Sequence, residues 1–79
     1  MKRRIAILGA TGSIGRSTLD LIERSPDRFE VVALTAQNNV EALADAARRT
    51  RAGLAVIADQ SRLAELRERL DGSGCRAAC

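Results

Sequence analysis

Three glycines near the start of the chain have the spacing of a phosphate-binding loop. Gly9, Gly12 and Gly15 lie in the run ILGATGSIG (7–15), in the pattern G-x-x-G-x-x-G. In a dinucleotide-binding loop the first glycine permits a sharp turn, the second lets the pyrophosphate approach the backbone, and the third allows a helix to pack closely on a strand. The extra residue relative to G-x-G-x-x-G widens the loop and preserves all three roles. The spacing therefore predicts a nucleotide-binding loop, with a simple strand-to-helix turn as the alternative.

The residues expected to contact the phosphates are Thr11, Gly12, Ser13 and Ile14. Their backbone N–H groups fall at the beginning of a predicted helix, where the positive end of the helix dipole favours an anion. The hydroxyl groups of Thr11 and Ser13 can add hydrogen bonds to phosphate oxygens. A Walker phosphate loop is excluded, because no Gly-Lys-Ser or Gly-Lys-Thr follows.

The segment LTAQNN (34–39) indicates which dinucleotide is bound. NAD sites usually carry an Asp or Glu after the second strand, which accepts hydrogen bonds from the ribose hydroxyls. This chain has Gln37, Asn38 and Asn39 instead, and neutral amides tolerate the 2′-phosphate that a carboxylate repels. The sequence therefore favours NADP over NAD. The other interpretation is that Asn38 or Asn39 caps the next helix, which is compatible with both cofactors.

These loops require a parallel sheet to position them. Three apolar runs are predicted to be buried strands: IAIL (5–8), VVALTA (31–36) and LAVIA (54–58). With helices between them, the order β-α-β-α-β-α predicts an α/β fold, the first half of a Rossmann-like doubly wound parallel sheet. The segment CRAAC (75–79) resembles the start of a fourth strand. We therefore expect residues 1–79 to be the N-terminal part of an NADP(H)-binding domain.

The helices are predicted from apolar residues at helical spacing. The first begins near Ser13 and cannot continue after Ser25 because Pro26 follows. The second covers 40–49, and the third follows Asp59 or Ser61 as its N-cap. The glycines of Gly72-Ser73-Gly74 end the third helix. The predicted inward faces are Ile14, Thr18, Leu21 and Ile22 in the first helix, Val40, Leu43, Ala44 and Ala47 in the second, and Leu63, Leu66 and Leu70 in the third.

The charge of the chain indicates neither a nucleic-acid nor a membrane partner. Thirteen Lys and Arg residues oppose ten Asp and Glu, a net charge of +3. The densest cluster, RRTR (48–51), falls at the predicted end of the second helix, where cations complement the dipole; a phosphate or nucleic-acid contact is the alternative. Phe29 is the one aromatic residue, so nucleic-acid binding through base stacking is not expected. No apolar run is long enough to cross a membrane.

Cys75 and Cys79 are the two cysteines of the chain, which has no histidine. Their spacing is neither that of a C-x-x-C redox motif nor that of a zinc site. We expect free thiols in a reducing cytosol, and hence a cytoplasmic protein.

The run GATGSIGRSTLDLIERSPDRFEVVALTAQNNVEAL (9–43) resembles the N-terminus of the 1-deoxy-D-xylulose 5-phosphate reductoisomerase family. The resemblance extends from Arg4 to Cys79, and its most specific parts are TGSIGRSTLD (11–20) and SPDRFEVVALTA (25–36). GATG alone also occurs in semialdehyde dehydrogenases and extended short-chain reductases. The STLD continuation, with the pair Asn39-Val40 after the second strand, narrows the match to the reductoisomerases.

The resemblance implies an enzyme that uses NADPH and a divalent metal, Mg²⁺ or Mn²⁺. Such an enzyme isomerises the sugar phosphate 1-deoxy-D-xylulose 5-phosphate and reduces the resulting aldehyde to 2-C-methyl-D-erythritol 4-phosphate, in the non-mevalonate route to isoprenoid precursors. We expect a homodimer when the chain is full length. The alternatives are another NADP-dependent reductase, such as a semialdehyde dehydrogenase, or a non-catalytic nucleotide-sensing module.

The resemblance also implies roles for particular residues. The loop at 11–14 would hold the cofactor phosphates, and Gln37, Asn38 and Asn39 would contact the adenosine end, including the 2′-phosphate. A glycine followed by a basic or small polar residue is common in the family where this chain has Gln37 and Asn38. The metal-binding carboxylates and the substrate-phosphate contacts of the family lie beyond residue 79. No catalytic or metal-ligating residue is therefore assigned to this chain, and these 79 residues alone are expected to be inactive.

Overall fold

The computed structural model describes residues 2–79, which form a parallel sheet connected by helices. The elements follow in the order β1 (Arg3–Ile7), α1 (Ser13–Glu23), β2 (Phe29–Ala36), α2 (Val40–Thr50), β3 (Leu54–Ile57), a 3₁₀ turn (Gln60–Arg62), α3 (Leu63–Arg69) and β4 (Arg76–Ala78). The spatial order is β1-β2-β3-β4 and every pair is parallel. The predicted Rossmann-like α/β class is confirmed, and the expected fourth strand is formed.

The helices cover one face of this sheet. Consecutive strands are neighbours, and right-handed crossovers that step in one direction place their helices on the same side. In agreement, α2 packs against both α1 and α3, and it also contacts β2 and β3. The core between these layers is built from aliphatic side chains, the largest fully buried ones being Leu34, Leu43, Ile57, Leu66 and Val40.

The first two strands begin two residues earlier than their apolar runs predict. β1 starts at Arg3 and β2 at Phe29, where the two residues are paired in register. The next pair, Arg4 and Glu30, is joined by a salt bridge of 3.1 Å between Nε and Oε2. Backbone pairing and the opposite charges of Arg4 and Glu30 thus extend both strands beyond the continuous apolar runs that predict them. At the other end, Leu8 lies outside β1 and is 80% exposed.

The predicted inward face of α1 is wrong at two of its four positions, Ile14 and Leu21. Ile14 and Leu21 are 85% and 65% exposed, and the half-buried Thr18 donates its hydroxyl to the carbonyl oxygen of Ile14 at 3.0 Å. The buried residues are Gly15, Leu19 and Ile22. The face that contains Gly15, Leu19 and Ile22 is buried because Gly15 packs directly on the glycine loop, and that contact sets the rotation of the helix about its axis.

The other two helices agree with the sequence pattern. Val40, Leu43, Ala44 and Ala47 of α2 are all buried. In α3, Leu66 is buried and Leu63 is half-buried, and Leu70, the C-cap residue that follows, is buried as well. The helix α2 extends to Thr50, one residue beyond its predicted end.

The arginine cluster at the end of α2 makes structural contacts. Arg48 donates hydrogen bonds to the carbonyl oxygens of Arg69 and Asp71 at 2.8 and 3.0 Å, which ties α2 to the end of α3. Arg51 adopts the left-handed conformation that ends α2. These contacts favour the helix-terminus interpretation of the cluster over a nucleic-acid contact.

Candidate functional site

The glycine loop connects β1 to α1 and begins with a backbone turn that suits glycine. Gly9 has φ +69°, in the left-handed region where a side chain is strained. Gly12 is the N-cap of α1, with φ −80° and ψ 174°, and no side chain caps the helix there. The beginning of α1 is therefore left to backbone groups, as in an anion-binding helix terminus.

Thr35 of β2 holds the start of this loop. The backbone N–H of Gly9 donates to the Thr35 hydroxyl oxygen at 2.9 Å, and the N–H of Ala10 donates to the Thr35 carbonyl oxygen at 2.8 Å. The role of Thr35 is not among the predictions made from the sequence. The one signal in the sequence was that Thr35 places a hydroxyl group inside the otherwise apolar run VVALTA (31–36). Threonine is also common in strands because it is β-branched, so its presence alone does not indicate a role in the loop.

Replacing Thr35 with valine should therefore loosen the loop. Valine has the shape of threonine without its hydroxyl, so the Gly9 N–H loses its acceptor. We expect the free energy of unfolding of the chain to fall by about 1 kcal/mol, the typical value of one hydrogen bond. Urea denaturation measures this change, and Thr35→Ser, which retains the hydroxyl, is the control. Equal stability of the valine and serine variants would show that the hydroxyl does not hold the loop.

The loop presents several unused hydrogen-bond donors. Within residues 2–79, the N–H groups of Thr11, Ser13 and Ile14 have no acceptor, and neither do the hydroxyl groups of Thr11 and Ser13. The N–H of Gly12 differs from the prediction for this group, because it donates to the Gly9 carbonyl oxygen at 3.1 Å. Three of the four predicted backbone donors are thus available to an anion, and the fourth closes the turn.

The second and third glycines have different structural demands. A Cβ atom added to Gly15 would lie 2.3 Å from the Gly9 carbonyl oxygen and 2.7 Å from the Cα of Ala10, so only glycine fits. A Cβ atom added to Gly12 would lie 3.5 Å from the same Gly9 oxygen, an ordinary van der Waals distance. The fold therefore requires Gly15, whereas the space beside Gly12 is open for a ligand to approach the backbone.

The second candidate segment, residues 37–39, lies at the same edge of the sheet. The carboxyl ends of the paired parallel strands β1 and β2 meet there, and the bonds from Thr35 tie the glycine loop to β2 just before Gln37. Gln37, Asn38 and Asn39 are all exposed. The Asn39 side-chain oxygen accepts a hydrogen bond from the Ala42 N–H at 3.1 Å, so Asn39 caps α2 as one interpretation predicted.

Asp59 lies beside this edge, at the end of β3, where its N–H donates to the Gln37 carbonyl oxygen at 2.9 Å. Its carboxylate accepts hydrogen bonds from the hydroxyl and the N–H of Ser61, and these bonds hold its pKa below the usual value. Asp59 caps the 3₁₀ turn that leads into α3. The predicted N-cap residue therefore caps this turn rather than the first turn of α3 itself. Asp59 is therefore engaged locally rather than facing a ribose.

The described residues contain no group of three or more His, Cys, Asp or Glu side chains that fits a metal ion. The divalent metal that the resemblance implies therefore has no ligand set in residues 2–79. Cys75 and Cys79 are free thiols, and partial burial raises the pKa of the Cys75 thiol above its usual value. Over the same residues, no helix has the length and apolar character needed to span a membrane.

Known proteins are similar in sequence to this chain over nearly its whole length. The profile of the family described as 1-deoxy-D-xylulose 5-phosphate reductoisomerase matches residues 5–79. The enzyme of that name from Zymomonas mobilis is 62% identical over 76 residues, and that from Rhizobium meliloti is 56% identical over 80 residues. These alignments cover 96% and 99% of this chain, and 20% of each relative. The chain thus spans about a fifth of the length of the curated relatives it matches.

Solved reductoisomerase structures have a backbone similar to that of this chain. The Zymomonas mobilis enzyme in complex with NADPH has a TM-score of 0.97 at 60% sequence identity, over 99% of this chain and 21% of that one. A reductoisomerase in complex with NADPH, fosmidomycin and magnesium has a TM-score of 0.87 at 30% identity, over 98% of this chain and 19% of that one. By the profile match and these identities, the chain belongs to the 1-deoxy-D-xylulose 5-phosphate reductoisomerase family.

Proposed function

We propose that residues 1–79 form the N-terminal part of the NADPH-binding domain of an enzyme that converts 1-deoxy-D-xylulose 5-phosphate to 2-C-methyl-D-erythritol 4-phosphate. The observation that carries this proposal is the glycine loop, with unused N–H donors at the start of α1 and an open approach to Gly12. The similarity to a relative solved with NADPH supports the choice of cofactor. The family match supports this function over that of a semialdehyde dehydrogenase or a nucleotide-sensing module.

In this proposal the residues of the chain bind and orient the cofactor. The N–H groups of Thr11, Ser13 and Ile14 and the nearby hydroxyls hold the pyrophosphate at the positive end of the α1 dipole. Gln37, Asn38 and Asn39 border the adenosine end. When bound, NADPH supplies the hydride that reduces the aldehyde. As the resemblance implies, the metal and the sugar-phosphate substrate would be held by parts of the enzyme that lie beyond residue 79.

The exposed apolar surface supports the proposal that this is part of a larger domain. Leu8, Ile14 and Leu21 are exposed at the end of β1 and along α1, and β1 pairs only with β2 among the described strands. The relatives are about five times as long as this chain, so they have the residues to cover such a surface. The cytoplasmic location and the homodimer stay predictions.

A chimeric enzyme tests the proposed function. Residues 1–79 would replace the corresponding segment of the Zymomonas mobilis enzyme, which is 62% identical to this chain over 76 residues. We expect the chimera to oxidise NADPH when given 1-deoxy-D-xylulose 5-phosphate, because the backbone of this chain matches that of the Zymomonas mobilis enzyme with a TM-score of 0.97. The Zymomonas mobilis enzyme lacking the segment is the negative control. A folded chimera that neither binds NADPH nor turns over the substrate would contradict the proposal.

Asn39 offers a test of cofactor choice that leaves the helix cap in place. Aspartate caps a helix as well as asparagine does, so Asn39→Asp keeps the bond to Ala42 and adds only a negative charge. In the chimera we expect NADPH affinity to fall about tenfold more than NADH affinity, since about 1.4 kcal/mol of repulsion corresponds to a factor of ten. Fluorescence titration with each cofactor measures the ratio, and Asn39→Ser is the neutral capping control. Equal losses for NADPH and NADH would mean that residue 39 does not face the 2′-phosphate.

A further inference from the structure

A groove runs between α1 and α2 and opens beside the glycine loop. It has a volume of about 370 Å³. Its upper end is lined by Thr11 of the loop, Arg16 of the first turn of α1 and Ala42 of the first turn of α2. Because α2 begins directly after residues 37–39, this end of the groove lies next to the segment expected to meet the adenosine ribose.

The guanidinium of Arg16 is uncompensated at that end. Among residues 2–79 it has neither a salt bridge nor a hydrogen-bond acceptor, and it is exposed. The carboxylates that share the groove are all paired with other arginines. These pairs, each with an N–O distance of 3.0 Å, are Asp20 with Arg24, Glu23 with Arg49 and Asp45 with Arg49.

The carboxylates also lie deeper in the groove than Arg16. Asp20 is one helical turn further along α1, and Asp45 is one turn beyond Ala42 in α2. One turn displaces a residue by about 5.4 Å along the axis, away from the helix N-terminus. The upper end therefore combines one positive side chain with the positive ends of two helix dipoles.

Other arginines near this edge of the sheet are already engaged. Arg62, which follows β3, lies 3.8 Å from the Asp59 carboxylate and 3.6 Å from that of Glu65. Arg48 is held by the two carbonyl oxygens at the end of α3. Arg16 is thus the arginine beside the loop whose charge is free to meet a ligand.

We propose that Arg16 binds the 2′-phosphate of NADPH and so sets the preference of this chain for NADPH over NADH. The inference rests on the proposed function, since it assigns a residue to the cofactor site described above. NADP-binding sheets of this kind commonly use a nearby arginine for the 2′-phosphate. In this chain the end of β2 supplies only the neutral side chains of Gln37, Asn38 and Asn39. Arg16 lines the groove whose upper end reaches Ala42 in the first turn of α2, the helix that follows this segment.

The test compares three variants of the chimeric enzyme defined above. Arg16→Ala should raise the Kd for NADPH about tenfold, which corresponds to the loss of one charge-assisted hydrogen bond, and leave the Kd for NADH within about twofold. Arg16→Lys should retain most of the NADPH affinity, because it keeps the positive charge. Arg67→Ala is the matched control, because Arg67 is also exposed without an ion pair in the described residues but lies on α3.

Two fragments of the cofactors isolate the phosphate. Arg16→Ala should weaken inhibition by 2′,5′-ADP and leave inhibition by 5′-AMP unchanged. An unchanged ratio of NADPH to NADH affinity would overturn the inference, and a lower melting temperature with that ratio unchanged would assign Arg16 to helix stability instead. Failure of the unsubstituted chimera to bind NADPH would contradict the proposed function rather than the role of Arg16.

Discussion

Substituting Gly15 by alanine is expected to remove most of the stability of this chain. The new Cβ atom would lie 2.3 Å from the Gly9 carbonyl oxygen and 2.9 Å from the carbonyl carbon of Ala10. Both are backbone atoms, so no side-chain rotation relieves the clash, and α1 must move away from β1. Overpacking a core commonly lowers the free energy of unfolding by about 1–3 kcal/mol. Because this clash is with backbone atoms, we expect a loss at or above the upper end of that range. A domain of this size has only about 5 kcal/mol or slightly more to lose.

Urea denaturation of the chimeric enzyme, followed by circular dichroism, measures this loss. Gly12→Ala is the matched control, because it adds the same methyl group three residues earlier at an ordinary contact distance. We expect the control to unfold within about 1 kcal/mol of the parent, the usual scale of an N-cap change. Equal destabilisation by both substitutions would contradict the close packing of α1 on the loop.

Substituting Gly12 by valine is expected to abolish useful NADPH binding while the chain stays folded. The extended backbone of Gly12, with φ −80° and ψ 174°, accepts a valine, and its Cβ direction is open. The branched side chain would then occupy the space through which the pyrophosphate approaches the loop. We expect the Kd of the chimeric enzyme for NADPH to rise by roughly a hundredfold, or about 2.8 kcal/mol.

Calorimetric titration with NADPH measures the affinity, and thermal unfolding establishes that the variant is folded. Gly12→Ala should show a smaller loss, because a single methyl group fills less of the approach. Unchanged NADPH affinity in the valine variant would mean that the pyrophosphate does not pass this residue. Together the Gly12 and Gly15 substitutions separate ligand approach from helix packing within one loop.

Much of the fold follows from local patterns in the sequence. The three apolar runs and the 3.6-residue spacing of Val40, Leu43, Ala44 and Ala47 correctly predict the alternation of strands and helices. Burial of continuous apolar segments is a local property of composition, so it is visible without contacts. The start of α1 at Ser13 was also predictable, because glycine spacing marks a turn by its conformational freedom alone.

The candidate site was only partly predictable. The loop at 11–14 and the segment at 37–39 were each predicted as cofactor-binding segments, and both follow the carboxyl ends of the paired parallel strands β1 and β2. The roles of Thr35 and Arg16 were not expected, because each depends on neighbours from another element: Gly9 for the Thr35 hydroxyl and α2 for the groove beside Arg16. The actual bond made by the Gly12 N–H also required the three-dimensional turn.

The sequence alone thus determined the element order, the glycine loop and the neutral end of β2, since each depends on residue types at short spacing. Only the tertiary structure decided which face of α1 is buried, because the approach of Gly15 to Gly9 overrides the apolar periodicity of Ile14 and Leu21. It also decided where β1 and β2 begin, because Arg3 pairs with Phe29 and Arg4 with Glu30 across the two strands. Contacts between distant segments carry these features, and no local pattern encodes them.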